Sequence, residues 1–204
     1  MRAFIYTGGE ICAERITERP KAGDLVVAAD AGYLNAKAFG LTPDVVLGDF
    51  DSYSGEIPKE IKRITVPAEK DETDTQLALS YVLEQGADDV VFVGGLGGRL
   101  DHTLSNLAIL ERLDAKGIHA LITDGFNRAR FLRDNSTLLP RSSFRYFALL
   151  SADPVVKGVT LDGCKYPLKK ARLSRLDQYA VSNEIVGNCA FIEVRRGGVW
   201  IVES

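Results

Sequence analysis

Cysteine is scarce in this chain. The three that occur, Cys12, Cys164 and Cys189, are widely spaced, odd in number and form no C-x-x-C pair. That argues against a disulfide framework or a zinc site and favours reduced thiols in a cytoplasmic protein. Long apolar runs are missing too: no window approaches the roughly 18 uninterrupted apolar residues of a membrane span, so no membrane partner is expected. The opening MRAFIYTGGEICAERI reads as a first strand, not as a signal peptide. Basic excess is absent. A net charge of −3 speaks against a nucleic-acid binder that works by neutralising phosphates. A single nucleotide stays compatible, because a metal ion can neutralise a triphosphate locally. Neither G-x-G-x-x-G nor G-x-x-x-x-G-K-[ST] occurs, so a dinucleotide fingerprint and a P-loop are both excluded.

What is present is an ordinary globular composition, 46% hydrophobic and 26% charged, over 204 residues. The first 124 residues alternate short apolar runs with helical patterns. Strands are expected at residues 3–6, 25–29, 45–47, 90–93 and 120–123, and helices at 31–39, 73–85 and 104–113. Strands apolar throughout and interleaved with helices imply a parallel sheet covered on both faces. Beyond Asp124 the rhythm changes to short runs with turn signals at Asp162-Gly163, Gly187-Asn188 and Gly197-Gly198. Residues 189–195 and 199–202 are expected to form a hairpin across the last of these. The fold class expected is α/β: a Rossmann-like parallel-sheet domain over residues 1–125, then a smaller antiparallel β-sandwich domain over 126–204.

Polar motifs fall just past the strands, where open parallel sheets bind ligands. Asp30 follows the second strand, and Asp49 and Asp51 follow the third in VLGDFDSYSG. If that segment is extended, Asp49 and Asp51 face one side while Phe50 turns to the core. Two such carboxylates suit Mg²⁺, which takes hard oxygen ligands and completes its shell with phosphates. The plainer reading of the motif alone is an Asx-rich turn with Ser52 and Gly55. In EKDETDTQLAL, Asp71 and Asp74 flank a helix start where Thr73 and Gln76 have capping-box spacing. GGLGGRLDH, residues 94–102, sits between strand and helix: its glycines allow close phosphate approach, and Arg99 offers a fork of donors. The same loop is also explained by Asp101 capping the next helix. His102 reads as catalytic or as a structural donor, His119 as structural. Trp200, the only tryptophan, reads as a core or ligand aromatic, and Ser182-Asn183 as a turn or a ligand contact.

Together, AADAGYLNAKAFGLTPDVVLGDFDS (28–52), KDETDTQLAL (70–79), GGLGGRLDH (94–102) and VSNE (181–184) resemble the thiamine pyrophosphokinase family. The resemblance implies a homodimer with active sites at the subunit interface. It implies transfer of pyrophosphate from ATP to the thiamine hydroxyl, giving thiamine diphosphate and AMP. Carried over by motif, Asp49, Asp51 and Asp74 would bind Mg²⁺ and with it the ATP phosphates. Asp30, Lys70, Thr73, Arg99 and His102 would lie on the nucleotide side, Asp71 close by, and Arg99 and Asp101 at the nucleotide or the reacting groups. Ser182, Asn183 and Trp200 would contact thiamine. Two other readings stand beside this one: a Mg²⁺-dependent phosphatase of haloacid-dehalogenase type, and a non-catalytic nucleotide- or thiamine-binding module.

Overall fold

The computed structural model describes residues 1–50, 55–67, 69 and 71–204. Asp51, Ser52 and Lys70, singled out above, lie outside the described residues. The chain divides into two compact units, Met1–Asn106 with Gly117–Gly125, and Leu107–Lys116 with Phe126–Ser204.

The first unit contains β1 (Arg2–Tyr6), β2 (Leu25–Ala29), α1 (Gly32–Ala38), β3 (Val45–Gly48), β4 (Lys62–Thr65), α2 (Asp74–Glu84) and β5 (Asp89–Val93). The first two turns of α3 (Leu100–Asp114) and then β6 (His119–Thr123) complete it. Its strands run parallel in the order β4-β3-β2-β1-β5-β6. Phe4, Ile5, Tyr6, Val27, Ala28, Val46, Val90, Val91 and Val93 are all fully buried. Burial on both faces is why these runs carry no polar alternation. The exception is β4, whose KRIT sequence is largely exposed at the sheet edge, where lysine and arginine discourage further pairing.

Local chemistry sets the helix ends. Thr73 and Gln76 form the expected capping box: the Gln76 amide donates to Thr73 Oγ1 at 3.2 Å, and the Thr73 amide to Gln76 Oε1 at 2.9 Å. Gly86, at φ 88°, ends α2 in the left-handed region that a side chain disfavours. Helix α3 begins four residues before the expected start, at Leu100 and not Leu104. Its first turn puts nothing into the core, Leu100 being 69% exposed, so no periodicity announces it. Among the described residues no helix is long and apolar enough to cross a membrane.

The second unit holds β7 (Arg128–Arg133), β8 (Ser136–Pro140), β9 (Phe147–Ser151), β10 (Val155–Asp162), β11 (Leu168–Ser174), β12 (Cys189–Glu193) and β13 (Gly198–Glu203). They form antiparallel arrays β7-β13-β9 and β11-β10-β12-β8. One core joins them, with Leu149, Val199 and Ile201 from the first array and Leu139, Val156, Leu173 and Ile192 from the second. This is a β-sandwich, but the expected 189–202 hairpin is absent. Strand β12 pairs with β8 and β10, while β13 pairs with β7 and β9. The inner faces of β12 and β13 must meet across the core, so the chain changes sheet between them. Gly197 (φ 104°) makes that turn, and Gly198 leaves room for the Phe131 ring, whose Cζ would lie 2.4 Å from any Cβ there.

At one end of this core Arg128 and Glu203 form a buried, two-pronged ion pair, both bonds 2.7 Å. Ser142 Oγ donates a further bond to Glu203 at 2.9 Å. Such a pair tolerates burial because every charge is matched by directed hydrogen bonds.

Candidate active site

Strand order in the first unit reverses at β1: β2 lies on one side and β5 on the other. Chains leaving the carboxyl ends of β1 and β5 therefore diverge and open a crevice. A cleft of about 360 Å³ occupies that position. Its walls are Thr7–Gly9 after β1, Ala29–Ala31 after β2, Thr73–Thr75 at the start of α2, and the loop and first turns after β5.

Close backbone packing shapes these walls. Gly32 starts α1 directly against β1, and a Cβ there would sit 2.0 Å from the Tyr6 carbonyl oxygen. Asp30, buried with φ 45°, donates its N–H to the Leu47 carbonyl at 2.8 Å and accepts from the Tyr33 amide at 3.1 Å. It thereby ends β2 and begins the turn into α1; aspartate is among the few residues that enter the left-handed region readily. Gly48 is required beside it, since its Cβ would lie 2.9 Å from the Asp30 Cβ.

The structure brings Asp30, Thr73, Asp74, Arg99 and His102 to this one cleft. Asp74 stands in the first turn of α2, where the helix dipole favours a carboxylate. Asp49, Asp71 and Asp101 are not among the lining residues. The expectation that residues 49–51 are extended fails at its middle: β3 stops at Gly48, and Phe50 is left-handed, with φ 61°. Phe50 does serve as an anchor. Its ring packs partly against the core below, with the Arg63 guanidinium 3.7 Å from its centroid.

Arg99 forks onto Asp101, with bonds of 2.6 and 3.2 Å. The hydrogen bonds hold the Asp101 carboxyl below the usual range and push the Arg99 guanidinium up. Asp101 also accepts from the His102 amide at 3.0 Å, within the first turn of α3 and not ahead of it as a cap. Both side chains are mostly exposed, so this is a weak pair whose arginine can exchange its carboxylate for a phosphate.

The remaining expected residues belong to the second unit. Asn183 is buried at 3% exposure and wholly engaged with its own chain. Its Nδ2 donates to the Tyr166 carbonyl at 2.9 Å, and its Oδ1 accepts from the amides of Tyr166 (3.0 Å) and Glu184 (2.9 Å). Ser182 beside it is exposed and left-handed, with φ 53°. Trp200 is half-buried: its indole N–H donates to the Leu107 carbonyl at 3.0 Å, and its ring meets Phe131 edge-on at 6.0 Å between centroids.

Asn35 and Asn106 were not singled out by the sequence reading. Asn35 Nδ2 donates to the carbonyls of Thr7 (2.7 Å) and Gly9 (3.0 Å), and Asn106 Nδ2 to that of Gly95 (2.8 Å). The available signal was an asparagine inside each helix, a residue that propensity alone does not place there.

Comparison with known proteins accounts for both units. Residues 18–122 match the family model "Thiamin pyrophosphokinase, catalytic domain", and residues 136–199 match "Thiamin pyrophosphokinase, vitamin B1 binding domain". A thiamine pyrophosphokinase of Bacillus subtilis is 26% identical over 186 residues, covering 88% of this chain and 87% of the relative. A crystal structure of the B. subtilis enzyme superposes with a TM-score of 0.88 at 24% identity, covering 100% of this chain and 99% of the other, which bears on the fold. A thiamin pyrophosphokinase family structure from Enterococcus faecalis gives 0.83 at 28% identity, with coverage of 100% and 99%. With more than half its length matched by the catalytic-domain model alone, the chain belongs to the thiamin pyrophosphokinase family.

Proposed function

We propose that this chain transfers the pyrophosphoryl group of ATP to the hydroxyl of thiamine, giving thiamine diphosphate and AMP. The observation that carries the reading is the cleft at the strand-order reversal, where two glycine loops meet Asp30, Asp74, Arg99 and His102. Residues 1–125 act as the nucleotide-binding catalytic domain, and residues 126–204 as the thiamine-binding and dimerisation domain.

In the reaction the thiamine hydroxyl oxygen bonds to the β-phosphorus as the bond from that phosphorus to the α–β bridging oxygen breaks. The electron pair leaves with AMP, and the hydroxyl proton passes to a base, Asp71 or Asp101. Little covalent chemistry falls to the protein, whose work is alignment and charge neutralisation. Thr73 and the glycine loops shape the phosphate wall, and Lys70 adds a cation beside it. Arg99 exchanges Asp101 for phosphate oxygens, and that exchange releases the Asp101 carboxylate, one of the two candidate bases. Asp30 and His102 contact the nucleotide.

The donor set fits Mg²⁺: Asp49, Asp51 and Asp74 offer carboxylate oxygens only, with no thiolate or imidazole among them. Among the described residues no three ligating side chains gather at one point, so phosphate oxygens and water would complete the shell. When bound, the ion offsets charge on the polyphosphate.

Ser182 and Trp200 contact thiamine, Trp200 by stacking and cation–π attraction to the cationic ring system. Asn183, already saturated, holds Ser182 in place. The protein works in the cytoplasm, as its free thiols suggest, and as a homodimer with active sites at the interface. Leu138 and Phe191, register partners on β8 and β12 that are 59% and 38% exposed, supply apolar surface for self-association. The phosphatase reading is not favoured, because D-x-D follows β3 here and that chemistry places it after the first strand.

Incubation with ATP, Mg²⁺ and thiamine tests the proposal: AMP and thiamine diphosphate are expected in equal amounts. ADP with thiamine monophosphate, phosphate release without an acceptor, or binding without turnover would each overturn it. Asp51→Asn is expected to abolish turnover while leaving the melting temperature unchanged.

A further inference from the structure

Both glycine loops of the cleft share a feature that glycine alone does not explain. Three of their carbonyl oxygens accept hydrogen bonds from asparagine side chains: Thr7 and Gly9 from Asn35, and Gly95 from Asn106. A peptide carbonyl turned toward a polyphosphate repels it, whereas a peptide N–H attracts it. Flexible glycine loops can present either group. Tying the carbonyls to side chains removes the repulsive orientation.

The two asparagines come from different helices, α1 and α3. Asn106 is 6% exposed, and a Cβ on Gly95 would lie 2.8 Å from its Nδ2, so amide and glycine are fitted to one another. Gly95 is left-handed at φ 76°, so its carbonyl orientation depends on what holds it. Asn35, on α1, straddles the β1 loop with one Nδ2 bonded to two carbonyls.

We infer that Asn35 and Asn106 are positioning residues for the polyphosphate: they hold back the loop carbonyls and so make the cleft selective for an anion. The inference rests on the nucleotide reading of this cleft and deepens it. Neither residue needs to touch the reacting atoms.

The test is steady-state kinetics with each substrate varied, together with calorimetric binding of MgATP, on wild type and variants. Formation of thiamine diphosphate by the wild type secures the nucleotide reading first, so failure there is distinct from failure of this inference. Asn106→Ala is expected to raise KM for ATP about tenfold and weaken MgATP binding in step, with kcat and KM for thiamine within about threefold of wild type. Asn106→Leu keeps the volume but loses the donor without adding charge, and should lose as much; a packing role alone would leave it near wild type. Asn35→Ala is expected to act in the same direction, and it carries the test if Asn106→Ala does not fold. Unchanged KM for ATP in both alanine variants, an equal rise in KM for thiamine, or wild-type behaviour of Asn106→Leu would overturn the inference.

Discussion

The two units solve the same packing problem in opposite ways. In the first, a parallel sheet is buried on both faces, and every functional loop emerges at the carboxyl edge by construction. In the second, two antiparallel arrays share one core, and loops leave at both ends of each strand. The first therefore concentrates polar groups at one edge, while the second spends its polar groups on holding strands and turns together. Arg128 with Glu203, and Asn183 with Tyr166, are examples of that second use.

Five substitutions sharpen this contrast. The largest effect is expected for Glu203→Ala, which removes the carboxylate onto which the buried Arg128 forks. A loss of about 3–5 kcal/mol is expected by denaturant unfolding. Asp74→Asn should lower kcat/KM by about 100-fold at a cost in stability of no more than about 1 kcal/mol, the helix-dipole contribution, because it removes a charge facing the cleft. If Asp74→Asn instead unfolds the protein and Glu203→Ala does not, the division of labour is wrong.

Asn183→Ala should destabilise by about 2 kcal/mol, since it removes the bonds that the buried Asn183 side chain makes with the Tyr166 amide and carbonyl and the Glu184 amide. A drop in thiamine affinity without any loss of stability would make Asn183 a direct contact. Tyr6→Phe is expected to stabilise, by about 1 kcal/mol. Burial pushes the Tyr6 phenol up to about 12, and its hydroxyl has no hydrogen-bond partner among the described residues. A destabilised Tyr6→Phe would mean that the hydroxyl is satisfied after all.

The smallest effect concerns pH. Hydrogen bonds from Arg133, at 2.8 and 3.2 Å, hold the Asp153 carboxyl below its ordinary range. Its folded value lies below its unfolded one, so its contribution is present above the ordinary aspartate value near ~3.9 and is lost as pH falls below it. Asp153→Asn should therefore flatten the acid limb of stability below about pH 4. An unchanged limb would show that the pair contributes nothing measurable.

Legibility followed the same division. Strands β1, β2, β3 and β5 were readable because double burial makes them continuous apolar runs, and β6, only half-buried at its start, through Ala120–Ile122. Strand β4 was not, because KRIT is an exposed edge with no apolar signature. Asp30, Thr73, Asp74, Arg99 and His102 could be placed from their positions after strands and before helices. Asn35 and Asn106 act through backbone carbonyls and leave only a weak trace in helix propensity. In the second unit, strand existence was readable but pairing was not. Gly197-Gly198 looks the same whether it joins a hairpin or carries the chain between sheets. What decides is where Val199 and Ile201 find their core, which only the assembled sandwich defines.

That sheet change also sets a timetable. Strand β13 lies between β7 and β9 and is their common neighbour, yet it follows both in the chain. As the polypeptide emerges from the ribosome, β7 and β9 appear first and have no ladder with each other to form. The one strand that separates them must join both, so these ladders close only over long sequence separations, which slows folding by topology.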